Sequence, residues 1–372
     1  MVRLTTNLPR LRTALTAART NDVERVKQAL RESDVVAVAG EAEVGISTVL
    51  MHATRDEQAI VIDLRAATGD AHVAWMVARG LARRSLGAEE LSRVSRPASE
   101  QSNKSRQAFA RLTQELGRDA AALAVSGPPA MSRSGIATRE LLEGLPSSSS
   151  GPILWIDHLQ APGLTPRHPL DASELLWSVR SAQQRGKVRV LVSGHTTSMT
   201  AAFDESSAFF GDGVWITLGR PDAGVWQGVA REALPVGETA ELSWYLEMAE
   251  LAEAHPPTML LALGLYADAA DHVPALEMWQ YMLSLDDGLA SRAVLHARTL
   301  HRLGGRALLQ IADGRGPYRD AAGVGPQEIQ RAVTRLHQAG LLTQPARGIW
   351  RLTNPLLAGR LQYDPWLRAN ED

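Results

Sequence analysis

The segment AGEAEVGIST, residues 39–48, joins the apolar run VVAVA to VLMHA. Gly40, Gly45 and Ser47 stand at the spacing of a phosphate-binding loop, G-x-x-x-x-G-K-[ST]. Such a loop works because its backbone N–H groups and the following helix N-terminus point at the anion. Its lysine reaches the β and γ phosphates, and its serine or threonine ligates magnesium. Here Ile46 occupies the lysine position. A second candidate is Asp157, which ends the apolar run ILWID, where loops of this kind are partnered by an acid that holds magnesium. Gly40, Gly45, Ile46, Ser47, Thr48, Asp157 and Ser193 are therefore the candidate nucleotide contacts, with Ser47 and Asp157 the candidate magnesium ligands. His158, beside Asp157, is the one candidate base. The plainer reading makes Asp157 a polar strand end, His158 a loop histidine and Ser193 the cap of a turn.

Elements that would position these residues are legible around them. DVVAVAG and AIVIDLR (59–65) read as buried strands, STVLMHAT as a helix opening directly after the loop, and residues 10–31 as helical with Asn21-Asp22 as a cap in the middle. Strand, glycine loop, helix, strand begins an α/β domain with a parallel sheet. AHVAWMVARGLARRSL (71–86) is an amphipathic helix, and residues 92–151 form a variable insertion around SRQAFARLTQELGRDAAALAV. PILWIDHLQ (152–160), SELLWSVRSAQQRG (173–186) and KVRVLVSGH (187–195) then read as strand, helix and strand.

Composition sets the outer bounds. The chain has 372 residues, 45% of them hydrophobic and 22% charged, enough for a sizeable core and two or three domains. A formal net charge of −2 excludes a uniformly basic protein, so any nucleic-acid contact has to come from a local patch. With no cysteine, disulfides, thiolate metal sites and cysteine nucleophiles are excluded. The N-terminal residues lack a secretory signal pattern and no apolar stretch reaches membrane-spanning length, so a cytoplasmic protein is expected. Residues 233–291 contain ten Asp or Glu and no Lys or Arg, whereas residues 300–372 hold ten Arg against six Asp or Glu. These shifts suggest a division into a core (1–222), an acidic helical lid (223–299) and a small third domain (300–372).

VVAVAGEAEVGISTVL resembles the start of the signal-transduction P-loop ATPases with numerous domains, the STAND class related to AAA+, whose loop runs G-E-A-G-V-G-K-[ST]. ILWIDHLQAP is similar to their magnesium strand, VRVLVSGHT to their sensor strand and ITLGRPDAGVW to the junction before their lid. AEAHPPTMLLAL resembles a degraded form of the lid's G-x-P helix, and AGLLTQPARGIWRLTNPLLAGRL the winged helix that closes many such chains. The resemblance implies a parallel-sheet P-loop NTPase core with helical lid and winged helix, and ATP or ADP with magnesium as cofactor. Three departures oppose that activity: Ile46 for lysine, Glu43 for a glycine and His158 for a second acid. A Glu43 carboxylate ~7 Å from phosphate would repel it by roughly 2 kcal/mol at an effective dielectric of ~20. Lys27, Arg180 and Arg185 are the candidates for a substitute cation.

At the C-terminus, RALLQIADG, PYRDAAG and GPQEIQRAVTRLHQAGLL read as three helices, and LLTQ with GIWRLT as a hairpin. In that order the third helix can enter a major groove and the wing can touch phosphate, which makes Gln330, Arg331, Arg335, Arg347 and Arg351 the candidate DNA contacts. The same module can serve packing or protein interaction instead. The expected function is a degenerate STAND/AAA+-like regulatory or adaptor protein that works through self-association or a protein partner, and through DNA if the winged helix binds it. An active ATP-dependent switch and a nucleotide-independent DNA-binding regulator remain the alternatives.

Overall fold

The computed structural model describes residues 7–128, 137–147, 151–161, 170, 172–234, 239–269, 272–285, 288–318, 324–346 and 348–363. The helical stretch over 10–31, expected to carry a cap at Asn21-Asp22, is two helices, α1 (Leu8–Ala18) and α2 (Thr20–Glu32), with the break two residues earlier at Arg19. Strand β1 (Val35–Gly40) is buried at every position and leads through the loop into α3 (Ile46–Ala53). There follow β2 (Ile60–Asp63), α4 (Asp70–Leu86) and a run of shorter helices, α5 (Ala88–Val94), α6 (Asn103–Leu116), α7 (Arg118–Val125) and α8 (Thr138–Gly144). The helical stretch read over 105–125 is thus broken at Gly117, whose φ of +84° favours glycine. Next come β3 (Ile153–Asp157), α9 (Ala172–Gln184), β4 (Arg189–His195), α10 (Thr196–Ala202) and β5 (Val214–Leu218).

These strands form one parallel five-stranded sheet in the order β2-β3-β4-β1-β5. Its register pairs Asp63 with Asp157 at the C-terminal ends of β2 and β3. In β1, β3 and β4 the Val-, Ile- and Leu-rich runs suit strands covered on both faces, because no polar alternation is needed where neither face meets water. Helix α4 approaches β2 closely at Gly80, where a β-carbon would come within 2.4 Å of Ile60 Cγ2. Glycine is required there for space.

The remainder is helical: α11 (Ala223–Ala233), α12 (Leu242–Leu251), α13 (Pro256–Asp268), α14 (Ala275–Ser284), α15 (Leu289–Leu300), α16 (Gly304–Ala312) and α17 (Pro326–Gln338). An antiparallel hairpin, β6 (Leu342–Ala346) and β7 (Ile349–Leu352), and α18 (Pro355–Tyr363) complete it. Of the short helix expected over PYRDAAG, residues 319–323 lie outside the described residues.

Packing groups the chain into two compact units. One comprises residues 24–39 and 50–217, with a core built from the sheet, α4 and the helices after it. The other comprises 1–23, 40–49 and 218–372, and its core joins Leu11 and Ala14 of α1 to Trp226, Trp244, Tyr245, Met259 and Met282. Among the described residues no helix is long and apolar enough to cross a membrane.

Candidate functional site

The loop begins at Gly40, where β1 ends. A β-carbon on Gly40 would lie 2.8 Å from Val44 Cγ1 and 3.2 Å from Ile46 Cδ1, so both side chains pack directly against its α-carbon. Val44 is 2% exposed and Ile46, the first residue of α3, 9%. The side chain at the lysine position therefore ends as a buried apolar group with no charged head. Gly45 has φ +91°, a conformation L side chains rarely adopt. Glu43 has φ +63°, so it holds a left-handed backbone at the position where the resembling loops carry glycine. Ser47 is half-buried in the first turn of α3, and Thr48 is exposed.

Three basic side chains missed in the sequence close around this loop. Arg19, 7% exposed, donates through Nη1 to the Val44 carbonyl, through Nη2 to the Gly219 carbonyl at 3.1 Å and through Nε to Asp22 Oδ2 at 2.9 Å. Its guanidinium thus holds the loop at the break between α1 and α2. Arg220 donates through Nε to Glu41 Oε2 at 2.8 Å and through Nη1 to the Glu253 carbonyl at 2.8 Å. His255, fully buried at the N-terminus of α13, places Nε2 2.8 Å from Glu43 Oε2, with its Nδ1 2.8 Å from Thr258 Oγ1. Both loop carboxylates therefore have partners of their own, Glu41 with Arg220 and Glu43 with His255. The available signals were an arginine at a helix break with an acid at i+3, and a histidine before Pro256-Pro257. Neither names a loop more than 20 residues away in sequence, because only the fold supplies that contact.

The candidate substitute cations are engaged elsewhere. Lys27 pairs with Glu24 at 2.9 Å, Arg185 lies 4.0 Å from Glu143, and Arg180 is ion-paired with Asp212.

Asp157 is 6% exposed and sits in a continuous polar chain. Trp155 Nε1 donates to Ser193 Oγ at 2.8 Å, and Ser193 Oγ donates to Asp157 Oδ1 at 2.6 Å. The same carboxylate oxygen accepts the His158 N–H at 3.0 Å. Ser193, fully buried, therefore ties the indole of its neighbour strand to the acid. His158, at φ +59°, turns its ring back so that Nδ1 stands 3.0 Å from Asp157 Oδ2 and 3.4 Å from Asp63 Oδ1. Asp63 accepts from Arg65 Nε at 3.1 Å and from Arg65 Nη2 at 2.9 Å. Burial acts to raise the Asp63 pKa, but the Arg65 hydrogen bonds and charge outweigh it and hold the carboxyl below its ordinary value. The Asp63 hydrogen bond correspondingly raises the pKa of Arg65.

Among the candidate DNA contacts, Gln330 and Arg331 are exposed on α17 and Arg351 is exposed on β7. Gln330 accepts from the Tyr318 hydroxyl. Arg335 is half-buried and donates through Nη1 to the Leu300 carbonyl at 2.9 Å, at the C-terminal end of α15. Arg347 lies outside the described residues.

No family model matches the sequence, and no curated protein matches it either. Among solved structures, a Walker-type ATPase of Pyrococcus abyssi is similar with a TM-score of 0.59 and 14% identity, over 92% of this chain and 95% of that one. The ORC2 protein of Aeropyrum pernix gives a TM-score of 0.47 and 13% identity over 94% of each chain. A STAND protein with a tetratricopeptide repeat sensor from Pyrococcus horikoshii gives 0.37 and 13%, over 93% of this chain and 42% of that one. The likeness to the Walker-type ATPase is one of fold: the chain has an α/β P-loop NTPase fold.

Proposed function

We propose that this chain is a cytoplasmic STAND/AAA+-like regulatory or adaptor protein in which nucleotide binding is weak or absent and protein association does the work. One observation carries the reading: the Ile46 side chain packs on Gly40 inside the loop, where a working loop carries the lysine that reaches the phosphates. The candidate residues, each taken in its own unit, do not fit a magnesium triphosphate. Arg19, which touches the loop, donates to loop and flanking carbonyls and to Asp22, and Asp157 Oδ1 already accepts two hydrogen bonds. What the arrangement supports is a loop kept as a structural joint, with Arg220 and His255 gripping its two carboxylates.

The division into core (1–222), acidic lid (223–299) and C-terminal winged helix (300–372) is part of this proposal, with the core as the scaffold that couples the other two. The test is a calorimetric titration of the full chain with ATP and magnesium, repeated on Asp157→Ala. No heat of binding at millimolar ATP is expected from either protein. Micromolar binding that Asp157→Ala weakens, or phosphate release well above background, would overturn the reading in favour of an ATP-dependent switch.

A second reading, DNA contact through the last domain, is favoured by the exposure of Arg331 on α17 and Arg351 on the hairpin. Arg335 contributes less than expected to it, because its guanidinium holds the end of α15. A duplex shift in low salt that weakens steeply as salt rises, and that charge reversal at Arg331 and Arg351 removes, is the expected signature. A salt-independent or undetectable shift refutes it.

A further inference from the structure

The sheet-containing unit carries a groove of about 820 Å³ beside the N-terminal half of edge strand β2. Asp63 and Asp157 lie at the opposite, C-terminal ends of β2 and β3, so the groove is separate from these two carboxylates. Arg55, Arg79, Arg83 and Arg84 line it, and among the described residues no carboxylate does. Arg84 donates to the Glu57 carbonyl at 2.6 Å, and Arg79 donates to the Ala124 carbonyl at 3.1 Å while lying 5.5 Å from the Trp75 ring. Backbone carbonyls orient these guanidiniums without cancelling their charge. Arg55 and Arg83 are exposed and make no ion pair among the described residues. Apolar surface lies between the cations: Met51 is 60% and Val61 44% exposed.

Charge and apolar surface together call for an acidic ligand with apolar side chains, and the chain itself displays one. Helix α12 turns Leu242 (45% exposed) and Leu246 (57% exposed) outward, one helical turn apart, beside exposed Glu247 and Glu250. It belongs to the segment 233–291, which has no Lys or Arg to oppose the groove's arginines. At ten residues the helix is ~15 Å long, enough to lay two turns of one face in a groove.

We propose that the arginine groove beside β2 is a docking site for the acidic outer face of α12 from a second copy of this chain. Each copy offers one groove and one helix, two unlike partners, so the contact is head-to-tail and builds a ring or an open chain. None of these residues lies in 40–49, so the association does not depend on whether the loop holds nucleotide.

Sedimentation velocity on the full chain, over a range of concentrations at low and physiological salt and without nucleotide, tests this. The parent protein should self-associate reversibly, more weakly as salt rises. Reversing the groove (Arg55→Glu with Arg83→Glu) or the helix (Glu247→Arg with Glu250→Arg) should each weaken self-association by about tenfold or more, since like charges then face each other. Mixing the two reversed proteins should restore association, because opposite charges meet at every contact again. Near-UV circular dichroism establishes that the variants are folded. Should a reversal disrupt folding, Arg83→Gln and Glu247→Gln should shift the equilibrium in the same direction by a smaller factor. A parent that stays monomeric at every concentration, reversed variants that associate like the parent, a mixture that does not recover, or association that requires ATP would each overturn the inference.

Discussion

Replacing Ile46 with lysine restores the loop's usual residue, and the structure says that it should cost stability without restoring function. Ile46 is 9% exposed and touches Gly40 inside the loop. Burial of an isoleucine side chain contributes about 1.5–3 kcal/mol, of which the lysine stem keeps a part while its ammonium stays in water. The expected loss is therefore about 1–2 kcal/mol, a fall of a few degrees in Tm at roughly 2–4 °C per kcal/mol. Ile46→Leu serves as the control, because a volume-conserving swap should cost less than about 1.5 kcal/mol. Thermal melts of parent, Ile46→Lys and Ile46→Leu, each with and without millimolar ATP and magnesium, read both quantities. Nucleotide should leave all three melts unchanged, since Arg19 still holds the Val44 carbonyl and Glu43 still faces His255. Ile46→Lys as stable as the parent would show that the side chain is not packed as described. A melt of Ile46→Lys raised by ATP would be the stronger refutation. Ligand at 100 times its Kd adds about 2.7 kcal/mol, which such a scan resolves.

Ser193→Ala should destabilise the protein by about 1–3 kcal/mol in urea denaturation, because it leaves the buried Trp155 Nε1 without its acceptor and removes a donor from Asp157. A loss below about 0.5 kcal/mol would mean that this polar chain is not formed, since an orphaned buried donor costs more than that. Comparing Glu43→Gly with Glu43→Ala isolates the backbone at φ +63°: both lose the contact with His255, but only glycine relieves the left-handed strain. The glycine variant should be the more stable of the two by about 1 kcal/mol, and equal melting temperatures would refute the strain. Asp63 has a folded pKa below its ordinary value, so its contribution is present above the unfolded pKa of about 3.9 and is lost as pH falls through the lower folded value. Arg65→Met should remove that contribution, narrowing the stability gap between the two proteins as pH drops below about 4. A gap independent of pH would show that Arg65 acts through packing alone.

The order of elements around the sheet was legible in the sequence because it is written locally. Unbroken apolar runs such as VVAVA and ILWI have few homes other than strands buried on both faces, and the glycines of AGEAEVGIST mark a turn where side chains do not fit. Ile46 in place of lysine, Glu43 in place of glycine and Asp157 at a strand end could likewise be read one residue at a time. What those residues touch could not. That Arg19 grips Val44, that His255 faces Glu43 and that Ser193 joins Trp155 to Asp157 depends on contacts between residues 25, 212 and 36–38 positions apart. Sequence periodicity extends over a few turns of chain and carries no information on such pairs. The sign of a charge is a property of the residue, and here residue type alone suggested Lys27, Arg180 and Arg185 as substitute cations. Whether a charge faces a phosphate, a carbonyl or another side chain is a property of the packed chain, because only burial removes the water that would otherwise satisfy it.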